Sequence, residues 1–195
     1  MMLVNEIFYS LQGEGYHSGT PAVFVRLSGC NLECPFCDTD HSACTAMDEA
    51  AVVEEVVKYP ARWVVITGGE PSLQLTSSLV TLLHAKGRQV AVETNGTHPL
   101  PTEVDWVTLS PKDQWLGPVA APVLRQVDEL KLLYDGLHEP STYSHIACTH
   151  GHFLQPMDTG NADHNATISQ QATVYCLQHP EWRLSLQIHK ILNIS

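Results

Sequence analysis

Three cysteines, Cys30, Cys34 and Cys37, lie within eight residues of one another at C-x3-C-x2-C spacing. They follow an apolar run at 22–27 and the turn pair Ser28-Gly29, so the pattern predicts a loop that leaves a strand. Such a loop can wrap three thiolates around one metal centre. A cubane iron–sulfur cluster usually takes four cysteine thiolates, so three would leave one iron free to hold a cofactor.

The cysteines alone leave other uses open. A structural zinc site is one alternative, with His41 or Cys44 as the fourth ligand, because C-x2-C pairs commonly bind zinc. A disulfide framework is less favoured, since no signal peptide precedes the cysteines and the other three are scattered. Those three, Cys44, Cys148 and Cys176, are expected to be small core or surface thiols. No histidine is assigned to a metal.

Length and composition predict one globular domain over 1–195, with 44% apolar and 16% charged residues. The net charge is −11 with only 10 Lys and Arg, which argues against a nucleic-acid-binding protein, because that binding rests on neutralising phosphates. No window reaches the ~18 consecutive apolar residues that span a bilayer. We therefore expect a cytoplasmic protein, with no membrane partner, that acts on a small molecule.

Apolar runs predict strands that alternate with helices along most of the chain. The strand candidates are 4–8, 22–27, 63–67, 89–92, 106–109, 130–134, 153–157 and 184–188. One helix is predicted from a capping box formed by Thr45 and Asp48 and ends before Pro60. A second runs through 75–83 and stops at Gly87, and a third covers 168–179.

This alternation predicts an α/β fold of parallel strands with right-handed crossovers, with the active site at the carboxyl ends of the strands. A full (β/α) barrel takes about 250 residues, so we expect an incomplete barrel with shortened or missing helices. The segment 111–122, rich in Pro and Gly, is where a helix is expected to be lost. A flavodoxin-like open sheet is the competing architecture.

Several motifs carry a resemblance to known proteins. The cysteine spacing with Phe36 before its last cysteine resembles the radical S-adenosylmethionine (SAM) superfamily, and Gly68-Gly69-Glu70-Pro71 matches the GGEP motif of that superfamily. The joint order of all the motifs, almost from end to end, resembles the 7-carboxy-7-deazaguanine synthase family. The further segments that carry it are 11–15, Asp38-Thr39, 93–97, 110–112, 154–156 and 189–194.

The resemblance implies a radical SAM barrel with a [4Fe-4S] cluster on Cys30, Cys34 and Cys37, and Mg2+ at Thr39. It implies a homodimer and an electron donor such as flavodoxin or ferredoxin. No side chain is assigned a catalytic role beyond the cluster and SAM. The residues expected to contact SAM are Phe36, Cys37, Asp38, Gly68, Gly69, Glu70, Glu93, Asn95, Ser110, Pro111, Lys112 and Gln155.

The substrate implied by the resemblance is 6-carboxy-5,6,7,8-tetrahydropterin, contracted to 7-carboxy-7-deazaguanine with loss of ammonia, on the way to queuosine and related deazapurines. SAM is regenerated in that reaction. The residues expected to contact the substrate are Leu11, Gln12, Gly13, Glu14, Arg26, Thr67 and Ser195. The sequence leaves an alternative role open for two of the predicted site residues. Arg26 could instead form an ion pair with a nearby acid, and Glu70 could be an acid at a helix N-terminus.

Two competing functions remain at this point. One is another small radical SAM enzyme, such as an activating enzyme for a glycyl radical protein, and the other is a non-catalytic zinc-binding module. The chain also ends in an apolar segment, 188–194. We expect this tail either to fold over the open end of the barrel near the substrate or to pack in a dimer interface.

Overall fold

The computed structural model describes residues 1–37 and 44–194. In this part of the chain the strands form one mixed sheet. They are β1 (Met2–Leu11), β2 (Pro21–Leu27), β3 (Thr45–Met47), β4 (Trp63–Gly68), β5 (Gln89–Thr94), β6 (Trp106–Leu109), β7 (Gln126–Tyr134), β8 (Ala147–Pro156) and β9 (Trp182–Leu184). The helices are α1 (Glu49–Val56), α2 (Ser77–Ala85), α3 (Asp113–Leu116), α4 (Ala162–Gln178) and α5 (Ile188–Leu192). None of these helices is both long and apolar enough to cross a membrane.

The strand order is β3-β1-β2-β4-β5-β6-β7-β8-β9. All pairs from β2 to β9 are parallel, whereas β1 runs antiparallel to both β2 and β3. The six strands from β4 to β9 lie side by side in chain order, which is the order of a barrel and not of a flavodoxin-like sheet. Among the described residues β3 and β9 are open edges, so the predicted incomplete barrel is confirmed.

The two faces of the sheet have different tasks. On β2, Val23 and Val25 pack outward against α1 and α2, with Val52, Val56 and Leu79 in the same fully buried cluster. Phe24 and Arg26 alternate with them and point to the inner face, where they line a cavity. The period of two along a strand thus supports the core with one set of side chains and builds a site with the other.

The same alternation holds on the far side of the sheet. On β7, Leu130 and Leu132 pack in a second outer cluster with Ala172 of α4. Lys131 and Leu133 line the cavity on the inner face. Cys148 and Cys176 are partly buried against this outer cluster, which fits the expectation that they are packing residues.

Two local predictions were wrong. Thr45 does not cap α1, because it pairs with Val4 in the short strand β3; Asp48 is the N-cap, and its side chain accepts a hydrogen bond from the Ala51 amide at 2.8 Å. The last strand was expected at 184–188 but is Trp182–Leu184. The chain leaves it at once, and Ile188 begins α5.

The predicted loss of a helix at 111–122 is confirmed. Only the single turn α3 and a 3-10 turn at Gly117–Ala120 form there. Pro118 removes one backbone donor, and Gly117 adopts a φ of 70°, so the segment cannot extend α3 into a full helix. The carboxyl end of β6 therefore leads straight to cavity-lining residues, Ser110 and Lys112.

Candidate functional site

A cavity of about 790 Å³ lies on the inner face of the sheet at the carboxyl ends of the strands. Apart from Glu70 and Pro111, every predicted site residue in the described part of the chain lines it. These lining residues are Leu11, Gln12, Gly13, Glu14, Arg26, Cys30, Cys34, Phe36, Cys37, Thr67, Gly68, Gly69, Glu93, Asn95, Ser110, Lys112 and Gln155. Asp38, Thr39 and Ser195, and the alternative ligand His41, lie outside the described residues.

The cysteine loop, residues 30–37, forms one wall of the cavity. Cys30 and Cys37 are exposed and Cys34 is half-buried, and the Cys37 amide donates to the Cys34 carbonyl at 3.1 Å. Within 1–37 and 44–194 no three His, Cys, Asp or Glu side chains converge on a point where a single metal ion would sit. A cubane cluster does not need such convergence, because each thiolate binds a different iron, so the loop fits that group.

Asn31 anchors the cysteine loop to the exit of β5. Its side-chain amide donates to Thr97 Oγ1 at 2.9 Å, and its carbonyl oxygen accepts from Asn95 Nδ2 at 3.1 Å. Asn95 Oδ1 in turn accepts from the amide and hydroxyl of Thr97. The three side chains hold the loop beside a segment predicted to contact SAM. Asn31 and Thr97 carry no signal of this role in the sequence.

The two glycines of the GGEP segment allow the exits of β2 and β4 to touch. The Gly69 amide donates to the Leu27 carbonyl, and the Glu70 amide donates to the Gly29 carbonyl, both at 2.9 Å. A Cβ atom at position 69 would lie 1.8 Å from the Gly29 oxygen, and Gly68 adopts a φ of 105°. Only glycine permits this contact at either position, and it brings the segment against the cysteine loop.

Glu70 is fully buried and does not face the cavity. Its Oε1 accepts from the Ser72 amide at 2.9 Å and from Thr94 Oγ1 at 2.7 Å, while its Oε2 accepts from the Asn95 amide at 2.7 Å. The side chain caps the short 3-10 turn Pro71–Leu73, so the helix N-terminal acid that sequence analysis left open for Glu70 is present. It also connects the end of β4 to the end of β5. Glu70 therefore positions the ends of these strands without lining the cavity.

Lys112 lies next to the cysteine loop at the exit of β6. Its Nζ donates to the carbonyl and to the hydroxyl of Ser110, both at 2.6 Å. Burial lowers the pKa of Lys112 to about 8. Ser110 and Lys112 thus form a preset polar corner of the cavity.

A second wall of the cavity holds a cluster of three charged side chains, which we call the lysine–glutamate cluster. Lys131 Nζ lies 2.5 Å from Glu14 Oε2 and 3.0 Å from Glu93 Oε2. Burial alone would raise the pKa of Glu14, but the Lys131 charge and hydrogen bond outweigh it and hold the pKa at about 2. Burial alone would lower the pKa of Lys131, and the surrounding glutamates raise it well above its ordinary value instead.

Sequence analysis missed Lys131. The signal was available: it is one lysine inside the apolar strand 130–134, and a lysine in a strand buried on both faces requires an acidic partner. The sequence could not identify the acidic partners, because Glu14 and Glu93 are 117 and 38 residues away from Lys131.

Arg26 is paired within the protein. Its Nε donates to Glu6 Oε1 at 2.7 Å, and its guanidinium carbon lies 5.6 Å from the centre of the Phe8 ring. The ion pair that sequence analysis left open is therefore present. The arginine still lines the cavity, so the predicted substrate contact stays a prediction.

The C-terminal segment runs along the mouth of the cavity. The Ile188 amide donates to the Gly13 carbonyl at 3.0 Å, and Gln187 Nε2 donates to Glu14 Oε1 at 3.0 Å. Lys190 Nζ pairs with Asp158 Oδ2 at 2.6 Å across the opening. Other lining residues that sequence analysis did not single out are Asn5, Glu6, Phe8, Phe24, Leu32, Thr94, Leu133, Met157, Gly160 and His189.

Comparison with known proteins identifies the family of the chain. Residues 24–111 match the model of the radical SAM superfamily, a stretch that includes the cysteine loop, the GGEP segment and Ser110. A 7-carboxy-7-deazaguanine synthase of Bacteroides thetaiotaomicron is 50% identical, over all of this chain and 99% of its own length. One from Bordetella pertussis is 42% identical, over 98% of each chain.

The fold has a solved counterpart. The crystal structure of QueE from Escherichia coli superposes with a TM-score of 0.75 at 28% identity, covering 96% of this chain and 94% of that one. Full-length similarity to the named synthases, the superfamily match over the cysteine loop and this structural agreement lead to one assignment. The chain belongs to the 7-carboxy-7-deazaguanine synthase family of the radical SAM superfamily.

Proposed function

We propose that this protein is a 7-carboxy-7-deazaguanine synthase, a carbon–nitrogen lyase that contracts 6-carboxy-5,6,7,8-tetrahydropterin with release of ammonia in deazapurine biosynthesis. The observation that carries the proposal is that one cavity has two unlike walls, the cysteine loop and the lysine–glutamate cluster. One wall suits a cluster with SAM, and the other suits a polar planar ring.

Cys30, Cys34 and Cys37 would hold the [4Fe-4S] cluster through their thiolates. When bound, the cluster and SAM would together supply hydrogen-atom abstraction at C6 of the pterin. The chain's own part is to hold both ligands. The half-buried backbone of Gly68 and Gly69, together with Asn95, Ser110 and Gln155, would offer SAM donors and acceptors at the strand exits.

The substrate would lie against the other wall. Gln12 and Glu14 face the cavity with an amide and a carboxylate, which match the alternating donors and acceptors of a pterin edge. Thr67 and Arg26 lie on neighbouring strands β4 and β2, in register with one another. Arg26 would bind the substrate carboxylate with the part of its guanidinium that Glu6 does not occupy.

Four further properties belong to the proposal. Thr39 would bind Mg2+, which prefers oxygen ligands and commonly bridges to a substrate oxygen. The protein would work as a homodimer in the cytoplasm. A flavodoxin or ferredoxin would supply the electron. Thr39→Val is expected to weaken turnover and its dependence on Mg2+ without changing the iron content, and equal Mg2+ activation curves for both proteins would remove Thr39 from the site.

Anaerobic reconstitution followed by turnover tests the proposed function. We expect about four iron and four sulfide per chain, together with formation of 7-carboxy-7-deazaguanine and ammonia from the pterin. Bound zinc without sulfide would support the zinc module instead. A reconstituted cluster that cleaves SAM but leaves the pterin unchanged would support a different radical SAM enzyme.

A further inference from the structure

Lys131 occupies a place where a charge is costly. It lies in the middle of β7, 5% exposed, between Leu130 and Leu132, which face the outer core. Its own side chain points the other way, into the cavity. Burying an ammonium without partners is strongly unfavourable, so its partners must hold it.

Those partners come from two distant parts of the chain. Glu14 lies on the loop between β1 and β2, and Glu93 lies in β5; Lys131 Nζ contacts one carboxylate oxygen of each. The second oxygen of each glutamate is held by an amide: Gln187 Nε2 donates to Glu14 at 3.0 Å and Gln12 Nε2 donates to Glu93 at 2.9 Å. Both carboxylates are therefore fixed in position.

The two carboxylates still have capacity for a ligand. An ionised carboxylate offers about four lone-pair sites, and the contacts above use only some of them. Both side chains line the cavity. Two fixed anionic acceptors suit a ligand with N–H or ammonium groups, such as the aminopyrimidinone edge of a pterin and the polar end of SAM.

We propose that Lys131 is a positioning residue that holds Glu14 toward the pterin and Glu93 toward SAM, and so fixes the placement of one ligand relative to the other. The inference rests on the proposed function and deepens it by naming the group that joins the two subsites. Lys131 itself would act through the glutamates, because both occupy its ammonium.

The charge balance around Glu14 supports this role. Lys131 of β7 is surrounded by three acids, Glu14, Glu93 of β5 and Glu129 of β7, and His189 of α5 lies near Glu14. Three carboxylates in one buried region would drive a proton onto one of them. Burial acts in the same direction, and the Lys131 ammonium opposes both, so that the pKa of Glu14 stays at about 2.

Equilibrium binding of the pterin to reconstituted protein with SAM and no reductant tests the proposal. We expect Lys131→Met to weaken pterin binding about tenfold. In a Glu14→Gln background the same change should raise the pterin dissociation constant by less than about twofold, because the carboxylate through which Lys131 acts has already been neutralised. Lys58→Met, which removes an exposed lysine paired with Glu55, is the matched control and should change nothing.

Equal weakening in both backgrounds would mean that Lys131 supports the fold alone, and no weakening in the wild-type background would also overturn the proposal. Wild-type protein that binds no pterin would overturn the proposed function as well. Failure of the proposed function is thus distinguishable from failure of the Lys131 proposal, since it is seen with the wild-type protein, before Lys131 is changed.

A second measurement needs no variant of Lys131 and serves if Lys131→Met does not fold. Both proteins compared also carry Glu129→Gln, because Glu129 has a pKa of about 7 and would otherwise titrate in the pH range used. In this background the ratio of the pterin dissociation constants with and without Glu14→Gln is followed from about pH 5 to about pH 8. With Glu14 held ionised, this ratio stays constant, and titration of the ligand itself cancels. A ratio that falls toward one at the acid end would show that Glu14 takes up a proton, and the proposal would fail.

Discussion

The two walls of the cavity are built in opposite ways. The cysteine loop is a short local segment whose cysteines are exposed or half-buried, and its anchors, Asn31 and the GGEP segment, act at its base. The lysine–glutamate cluster is buried and joins segments 38 to 117 residues apart. A reactive group can be added to a loop, whereas a fixed charge pattern for a planar ligand requires a rigid scaffold.

The largest expected effect is on the cysteine loop. Replacing any one of Cys30, Cys34 or Cys37 with Ala should abolish SAM cleavage, by at least about 100-fold, because the cluster loses a thiolate. Iron content of the reconstituted variants is the direct measurement. Cys44→Ala, outside the loop and exposed, is the control; loss of iron there, with iron retained in Cys37→Ala, would refute the ligand assignment.

The same contrast explains what the sequence could reveal. The C-x3-C-x2-C spacing and GGEP are each short, continuous segments, so the sequence alone could indicate their chemistry. Apolar runs placed the strands because burial on both faces leaves a local pattern. Lys131 was missed because its meaning lies in partners that only the folded sheet brings to it.

Element ends were harder to predict than elements. Thr45 and Asp48 both suit an N-cap, and pairing of Thr45 with Val4 decides between them. The end of β9 is similar: Leu184 is the last residue in the ladder, and the Ser185 amide turns to the Leu154 carbonyl at 2.9 Å. Both outcomes depend on tertiary contacts that override local preference.

A second prediction concerns Glu70, the buried carboxylate at the base of the cysteine loop. Glu70→Ala leaves the Ser72 and Asn95 amides and the Thr94 hydroxyl without their buried acceptor. We expect a loss of about 3 kcal/mol in the free energy of unfolding, measured by urea denaturation. Glu103→Ala, at an exposed glutamate with contacts to Ser77 and Thr102, should cost under about 0.5 kcal/mol. Equal losses would remove Glu70 from its structural role.

A third prediction concerns Glu129, the carboxyl behind the lysine–glutamate cluster. Its Oε2 accepts from the Tyr16 amide at 3.1 Å, and burial raises its pKa from 4.5 to about 7. The folded state therefore binds this proton more tightly than the unfolded state, and stability falls as pH rises from about 4.5 to about 7. Glu129→Gln keeps an acceptor and carries no charge.

We expect Glu129→Gln to be more stable than wild type by up to about 3 kcal/mol at pH 8 and to show no gain at about pH 4. Thermal unfolding at both pH values measures the difference. A gain of the same size at both would mean that the effect is packing, and no gain at pH 8 would mean that Glu129 is not strained by its charge.

The smallest expected effect is at the C-terminal tail, which contacts the lysine–glutamate cluster through Gln187. Asn193, in the left-handed region at a φ of 53°, ends α5, and the Ile194 amide donates to the His189 carbonyl at 3.0 Å. Removing 193–195 takes this hydrogen bond away and leaves the Gln187 contact to Glu14 and the Ile188 contact to Gly13 in place. We therefore expect the Michaelis constant for the pterin to rise only about threefold, under 1 kcal/mol. Cluster content and dimerisation should not change. Unchanged pterin kinetics in a still-dimeric protein would rule out a substrate role for the tail, whereas a shift to monomer would assign it to the subunit interface.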